Sequence, residues 1–173
     1  MRRLRRERPP IRVERGERLL ADAAAAEGHL GGTRDALYFA RSRGGSAFEL
    51  TETLRIAWED VEAADWDQET SVLRVTEVGS WGEQRPEHRF TLDEPGRLLE
   101  LVRERVTASI VLQRHVPVDG RRGLRVIARR APRGNRPVQW VYEYDEGVDP
   151  DDPEVQRLAR EALAAAVRDV GLG

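Results

Sequence analysis

RIAWEDVEAADWD, residues 55–67, carries the most informative pattern for the fold of this chain. Its apolar side chains alternate with polar neighbours, which is the period of a β-strand with one buried face. Ile56, Trp58 and Val61 therefore predict a strand that packs on a core. Trp66 is expected to pack on the same core after a bend in the strand.

The same stretch carries many carboxylates, which raises the alternative of an acidic active site. They are Glu59, Asp60, Glu62, Asp65 and Asp67. A glycosidase needs two carboxylates that face one cleft, and a cation site needs converging oxygens. On a regular strand, Asp60 and Glu62 share one face while Glu59 and Asp65 lie on the other. We therefore expect these acids to face mostly water or the turn, and a hydrolytic enzyme is the weaker hypothesis.

The composition bounds the class of protein and excludes several chemistries. The 173 residues suit one domain or one domain with an appendage, with 39% hydrophobic and 35% charged residues. There is no cysteine, so disulfides and thiolate chemistry are excluded. All 29 basic residues are arginine, which excludes a Schiff-base lysine and a phosphate-loop lysine.

The N-terminal sequence MRRLRRERPP is basic, but no apolar segment of signal-peptide length follows it. The longest apolar runs also fall far short of a membrane span. We therefore predict a cytoplasmic protein without a transmembrane segment. Its oligomeric state does not follow from the sequence.

The order of predicted elements indicates three regions. Residues 1–13 are predicted to be a basic flexible tail, because charge is dense and apolar residues are sparse. Residues 14–112 contain several strands followed by a helix. Residues 113–173 contain a β-hairpin and a C-terminal amphipathic helix, which either pack on the same domain or complete it. Strands and helices that are segregated along the chain predict an α+β fold with an antiparallel sheet or barrel.

Glycines and alternation define the predicted strands of the middle region. Residues 16–39 are predicted to form two strands joined by a glycine turn. Further strands are predicted over 71–78 and 88–92. A helix is expected to begin near Asp93. Helical character is expected to fade around residues 109–113, where β-branched side chains gather.

The last region has the clearest signals for its elements. RGLRVIARR (122–130) and PVQWVYEY (137–144) flank a turn-rich link and predict a β-hairpin. The final helix is predicted to have Asp152 as its N-cap, Pro153 in its first turn and Gly171 at its end.

No motif in the chain indicates a particular reaction. His29, His88 and His115 are scattered and fit no zinc-binding spacing. The acids of DPDDP, residues 149–153, are better explained by helix capping than by a calcium loop. We therefore predict no catalytic residue, no metal site and no cofactor, and we expect a non-enzymatic protein.

A basic cluster around the predicted hairpin is the best candidate site for an anion or a partner. Its members are Arg121, Arg122, Arg125, Arg129, Arg130, Arg133 and Arg136. Together with the arginines of residues 2–8 they could bind nucleic acid or an anionic membrane. The alternative, which we favour, is that these arginines pair with the acidic C-terminal segment while Trp140 and Tyr142 pack in the core.

Two patterns in the first half of the chain resemble those of bacterial pleckstrin-homology-like domains, including GRAM-like ones. After a Gly-Glu opening, one strand carries Thr-x-x-x-Leu-x-Phe, and a later strand carries an apolar residue, an aromatic residue and a valine. The matching residues are Thr33, Leu37 and Phe39, and then Ile56, Trp58 and Val61. The whole chain also resembles a group of uncharacterised actinobacterial proteins.

This resemblance covers residues 14–112 and implies a pleckstrin-homology-like barrel whose function is binding. Members of the family recognise lipids, peptides or proteins, and we expect a scaffold that docks a protein or peptide. Specificity would lie in the loops at 40–47, 79–87 and 131–137. No ligand-binding residue carries over, and the chain departs from the family because a hairpin and a second helix follow the capping helix.

Overall fold

A computed structural model describes residues 9–42, 50–79 and 84–171. Within them the chain forms ten β-strands in three antiparallel sheets and two α-helices, so the predicted α+β class is confirmed. None of the three sheets closes into a barrel over these residues, which corrects the barrel form of the prediction. The chain divides into two compact units, Met1–Thr107 and Ala108–Gly173.

The first unit contains two sheets. The first sheet has the order β1 (Ala21–Ala25), β2 (Gly28–Gly32), β3 (Ala36–Ser42) and β4 (Leu50–Ala57). The second sheet has the order β5 (Val61–Asp67), β6 (Val72–Glu77) and β7 (Glu87–Thr91). All neighbouring strands are antiparallel because each joins the next through a short connection.

Helix α1 (Leu98–Ser109) follows these seven strands. It begins later than the sequence predicts, because the chain first passes through a turn in which Gly96 has a φ of 49°. Leu98 and Val102 are buried in a core shared with Leu30 and Leu73 from the two sheets. A Cβ on Gly32 would lie 2.6 Å from Cδ2 of Leu101, so the glycine permits the close approach of α1 to β2.

The opening stretch forms the corner between the two sheets. Trp58 is fully buried in a 3₁₀ turn (Trp58–Asp60), and Ile56 and Val61 are buried on either side of it, as predicted. The expectation for the carboxylates is wrong at two positions, since Glu59 is 2% exposed and Glu62 is 8% exposed. The 3₁₀ turn breaks the two-residue period of a strand, so alternation assigns these side chains to the wrong faces.

The N-terminal segment lies beside the first sheet. Leu20 donates a backbone hydrogen bond to Gly32, and a Cβ on Gly31 would lie 2.6 Å from Cδ1 of Ile11. Glu17 accepts hydrogen bonds from Thr33 at 2.5 Å and from Arg55 at 2.8 Å. Residues 1–8 of the predicted tail lie outside the described residues.

The second unit is a three-stranded sheet covered by a helix. Its strand order is β10 (Gln139–Tyr144), β9 (Arg122–Arg129) and β8 (Ile110–Asp119). Helix α2 (Pro153–Val170) packs on the face that carries Leu124 and Val126. The two predicted hairpin strands are therefore observed, and they pair with β8 in a sheet of their own.

The sequence prediction differs from the structure in two further places. Residues 16–39 were predicted to form two strands, but they contain β1, β2 and the start of β3. Strand β8 was not predicted. It begins directly after α1, with no turn residue to separate the two elements. Its partly buried and exposed residues alternate from Ile110 to Asp119, as expected for a half-buried strand. The apolar residues of α1 continue into β8. The helical period and the strand period of the sequence therefore overlap at residues 109–113.

The ends of α2 confirm the predicted caps. The carboxylate of Asp152 accepts a hydrogen bond from the backbone N–H of Glu154 at 2.7 Å. Pro153 occupies the first turn, and Gly171 has a left-handed φ of 71°. Among the described residues, no helix is long and apolar enough to cross a membrane.

Candidate binding cleft

A cleft of about 320 Å³ opens in the first unit between the β1–β2 turn, strands β3 and β4, and strand β7. The β1–β2 turn reaches it because Gly28 lies unusually close to β3. Gly28 has a φ of 153°, and a Cβ at this position would lie 2.0 Å from the carbonyl oxygen of Ala40. Only glycine fits there, so Gly28 fixes the position of Ala26 and Glu27 at the mouth of the cleft.

Apolar side chains line the cleft. Phe39 from β3 and Phe90 from β7 are both buried, and their rings pack with centroids 4.9 Å apart at an angle of 49°. Leu54 from β4 lies beside them and is half-buried. These three side chains form an apolar floor where the two sheets do not join. The floor offers apolar contacts to a guest side chain.

Paired charges line the rim. Arg41 lies 3.4 Å from Glu27, and Arg89 donates a hydrogen bond to Glu87 at 2.7 Å. The hydrogen bond from Arg89 holds the pKa of Glu87 below its ordinary value. Arg74 lies 3.8 Å from the same carboxylate oxygen. The rim therefore carries both signs of charge in alternation.

His88 forms part of the wall. Its Nε2 atom lies 2.5 Å from Oε1 of Glu77, diagonally across the β6–β7 pair. Its ring is stacked on Phe90, with centroids 6.3 Å apart and an angle of 12°. The contact with the carboxylate fixes the ring orientation, so the other nitrogen has a defined direction.

The cleft presents an apolar floor and charged side chains at its rim. Among the described residues, no group of three His, Asp or Glu side chains could hold a metal ion. Its lining combines buried aromatic rings with a few fixed polar groups, which is the pattern of a site that orients a guest.

The predicted arginine cluster is divided by the fold. Arg121 and Arg122 lie exposed at the start of β9, whereas Arg133 and Arg136 lie exposed in the link after its end. Eight residues of extended strand separate the two pairs by roughly 23 Å. The structure therefore does not bring these four side chains into one patch.

The remaining members of the cluster contact other groups of the second unit. Arg129 is 2% exposed and donates a hydrogen bond to Oγ of Ser109 at 2.9 Å. Arg125 lies 3.3 Å from Asp145 and 3.8 Å from Glu143, and Arg130 is half-buried. Anion binding by the arginines stays a prediction, and those of residues 2–8 lie outside the described part of the chain.

Several of these contacts agree with the alternative in which the arginines pair with acidic residues and the aromatic side chains pack in the core. Trp140, Tyr142 and Tyr144 pack against the core of the second unit, and burial raises the pKa of Tyr142. Arg114 of β8, which is not a member of the predicted cluster, pairs with Asp169 of α2. The carboxylates that lie near Arg125 are those of Glu143 in β10 and Asp145 directly after it, which precede the helix.

Two residues from the predicted specificity loops line the cleft, and both lie in strands. Arg41, from the predicted loop 40–47, belongs to β3, and Glu87, from the predicted loop 79–87, is the first residue of β7. Residues 43–47 and 80–83 lie outside the described residues and residues 131–137 belong to the second unit, so the role of these loops in specificity stays a prediction.

Sequence reasoning missed most of the lining. Phe39 entered the sequence argument only as part of a family pattern, and Phe90 only as part of a strand. The predicted alternation in residues 88–92 placed Phe90 and Leu92 on one side of the strand. It could not show that this strand lies at an opening.

The chain matches no known family model and no curated protein. The geometry of this chain is therefore the basis on which its function can be inferred.

Proposed function

We propose that the first unit, which ends before the predicted boundary at residue 112, forms a pleckstrin-homology-like domain that acts as a non-enzymatic docking module for a peptide segment of another protein. A pleckstrin-homology domain finishes its strands before its capping helix, and here seven strands precede α1. The predicted hairpin pairs with β8 and adds no strand to the two sheets of the first unit. This supports the alternative in which the residues after the capping helix form an added unit of their own.

One observation carries the proposal, namely the apolar floor of Phe39, Leu54 and Phe90 beneath a rim of charged side chains. Ligand sites typically have volumes of about 300–1,000 Å³. At about 320 Å³ the cleft lies at the small end of that range. It suits one or two side chains of a guest that continues across the surface.

The rim argues for a peptide over a phosphate-bearing ligand. Arg41 and Arg89 each contact a carboxylate, Glu27 and Glu87 respectively. A phosphate group would meet these acids as well as the arginines and would have to displace them. A peptide with both signs of charge can form pairs with all four side chains.

The experiment blocks the cleft with a large side chain at its mouth and leaves the buried residues of its floor unchanged. Ala26 is exposed at the mouth, so an Ala26→Tyr substitution places a ring over the floor. Ala24 is an exposed alanine of β1 that does not line the cleft, so Ala24→Tyr is the matched control. A random peptide library is selected on the full wild-type chain, and the affinities of the enriched peptides are then measured for all three proteins.

We expect Ala26→Tyr to weaken peptide binding by at least about tenfold, a change equivalent to about 1.4 kcal/mol. Ala24→Tyr is expected to bind like the wild type. The proposal fails if no peptide is enriched, or if the peptides bind Ala26→Tyr as tightly as the control.

A further inference from the structure

We infer that the docked segment binds by adding as a β-strand to the cleft-facing edge of β7, which pairs with no other strand of the described part of the chain. This inference rests on the proposed function and specifies its partner as an extended segment with alternating apolar and charged residues. The alternative within the same function is a guest that only inserts side chains into the cleft.

The hydrogen bonds between β6 and β7 fix which backbone groups face outward. Leu92 donates to Ser71 at 2.9 Å, and Glu77 donates to Pro86 at 2.9 Å. In an antiparallel pair such bonds recur at every second residue. The even-numbered residues of this segment therefore direct their N–H and C=O groups toward β6. The backbone groups of Glu87 and Arg89 point to the opposite edge.

That opposite edge already accepts a backbone contact at its far end. Ala26 donates to the carbonyl oxygen of Thr91 at 2.9 Å, and Ala25 forms an isolated antiparallel bridge with Leu92. The contact shows that another backbone segment can approach this edge to the distance of a paired strand. From Thr91 back to Glu87 the same edge borders the cleft. A guest strand would continue the ladder from the point where β1 ends.

The side chains of β7 specify what such a guest must carry. His88 and Phe90 lie on the inner face of the strand, whereas Glu87 and Arg89 lie on the outer face. Side chains of an added strand alternate in the same way. Apolar side chains of the guest would therefore enter the cleft, and charged ones would pair with Glu87 and Arg89.

The charge pattern of the outer face favours an acidic residue opposite Arg89. Within the sheet, Arg74 of β6 lies directly opposite Arg89, so two guanidinium groups are cross-strand neighbours. Like charges in this position are unfavourable unless acids lie nearby. Glu87 contacts both arginines on one side. A guest carboxylate next to Arg89, on the edge of β7 away from β6, would continue the alternation of charges. An uncharged guest strand would form no ion pair with Arg89.

The test uses a peptide selected on the full chain and follows backbone amide exchange by NMR. We expect the amides of Glu87 and Arg89 to exchange at least about tenfold more slowly when the peptide is bound, because each gains an acceptor. The amides of His88 and Phe90 serve as internal controls, since they already face β6. N-methylation of the peptide at every second position is expected to abolish binding, and at the intervening positions to leave it unchanged.

A charge exchange gives an independent readout. Arg89→Glu is expected to weaken binding of a peptide with an acid at the facing position, and a basic residue at that position is expected to restore it. Strand addition is overturned if the peptide binds and Ala26→Tyr blocks it, yet the exchange of Glu87 and Arg89 is unchanged. In that case the docking function itself stands. If no peptide is enriched, both are wrong.

Discussion

The indole Nε1 of Trp58 donates a hydrogen bond to the backbone carbonyl oxygen of Thr33 at 3.0 Å. The bond links the corner between the two sheets of the first unit to the turn between β2 and β3. Both residues are fully buried, so neither group can bond to water instead. Trp58 therefore stabilises the frame that holds the cleft, although it does not line it.

Replacing Trp58 by phenylalanine should destabilise the first unit. The change leaves the carbonyl of Thr33 without this donor and removes ring volume from a dense core, with an expected loss of about 1–3 kcal/mol. Urea denaturation measures the loss. Trp66→Phe is the control, since Trp66 is only partly buried, and its effect should be smaller. Equal losses in the two variants would contradict the assigned role of Trp58.

Arg129→Ala should destabilise the second unit, because this arginine is buried and bonded to Ser109. Hydrogen bonds that involve a charged group are worth about 1.5–3 kcal/mol, so a loss of that order is expected. Arg121→Ala, at an exposed position, should change the free energy of unfolding by less than about 0.5 kcal/mol. If denaturation of the two variants is indistinguishable, Arg129 is not the structural residue that its burial indicates.

Two glycines at the β8–β9 turn should differ in their tolerance of alanine. A Cβ on Gly123 would lie 2.0 Å from the carbonyl oxygen of Val116, so the strands would have to separate. Overpacking of this kind typically costs about 1–3 kcal/mol or more. Gly120 has a φ of 58° and open space around it, so its alanine variant should lose only about 1 kcal/mol. Thermal unfolding that ranks Gly120→Ala as the more damaging would contradict this geometry.

Asp145 should make the stability of the second unit depend on acid pH. The backbone N–H of Gly123 donates to its carboxylate at 2.9 Å, and this bond, followed by the charge of Arg125, lowers the pKa of Asp145. A lowered folded-state pKa adds stability that is complete above the unfolded value of about 3.9 and disappears as the pH falls through the folded value.

Asp145→Asn is therefore expected to be less stable than the wild type at neutral pH, and the difference should shrink as the pH falls below about 3.9. Denaturant unfolding over a pH series measures the difference. Asp119→Asn, which alters an exposed acid of the same unit, is the control. A difference that stays constant down to low pH would argue against an ionised Asp145 as the source of the stabilisation.

His88 should carry its proton on Nε2, because Oε1 of Glu77 lies 2.5 Å from that atom and can only accept. Nitrogen-15 NMR of the imidazole distinguishes the two tautomers. Glu77→Ala is expected to produce a mixture of them. If wild-type His88 is protonated mainly on Nδ1, its contact with Glu77 is not the one that orients the ring in the cleft.

Much of the secondary structure could be predicted from local pattern. The caps of α2 at Asp152 and Gly171 follow from side-chain and backbone preferences that act within one turn. The burial of Ile56, Trp58 and Val61 follows from their apolar character and spacing. Strand β8 was missed because its period begins where the helical period of α1 ends, without a turn residue between them.

The candidate site was less accessible to sequence reasoning. Alternation correctly places Phe90 and His88 on one face of their strand, yet the pairing that makes β7 an edge depends on residues far away in sequence. The arginines of residues 121–136 form a cluster along the chain. In space an eight-residue strand divides them, and two carboxylates contact Arg125.

Local sequence is sufficient to predict the α+β class, the caps of the last helix and the apolar spacing of RIAWEDVEAADWD. Each of these depends on interactions between residues a few positions apart. The folded chain was needed to show that Glu59 and Glu62 are buried, that Arg129 is structural, and that a cleft opens beside β7. These features depend on which strands lie together, and strand pairing is set by the burial of the whole core.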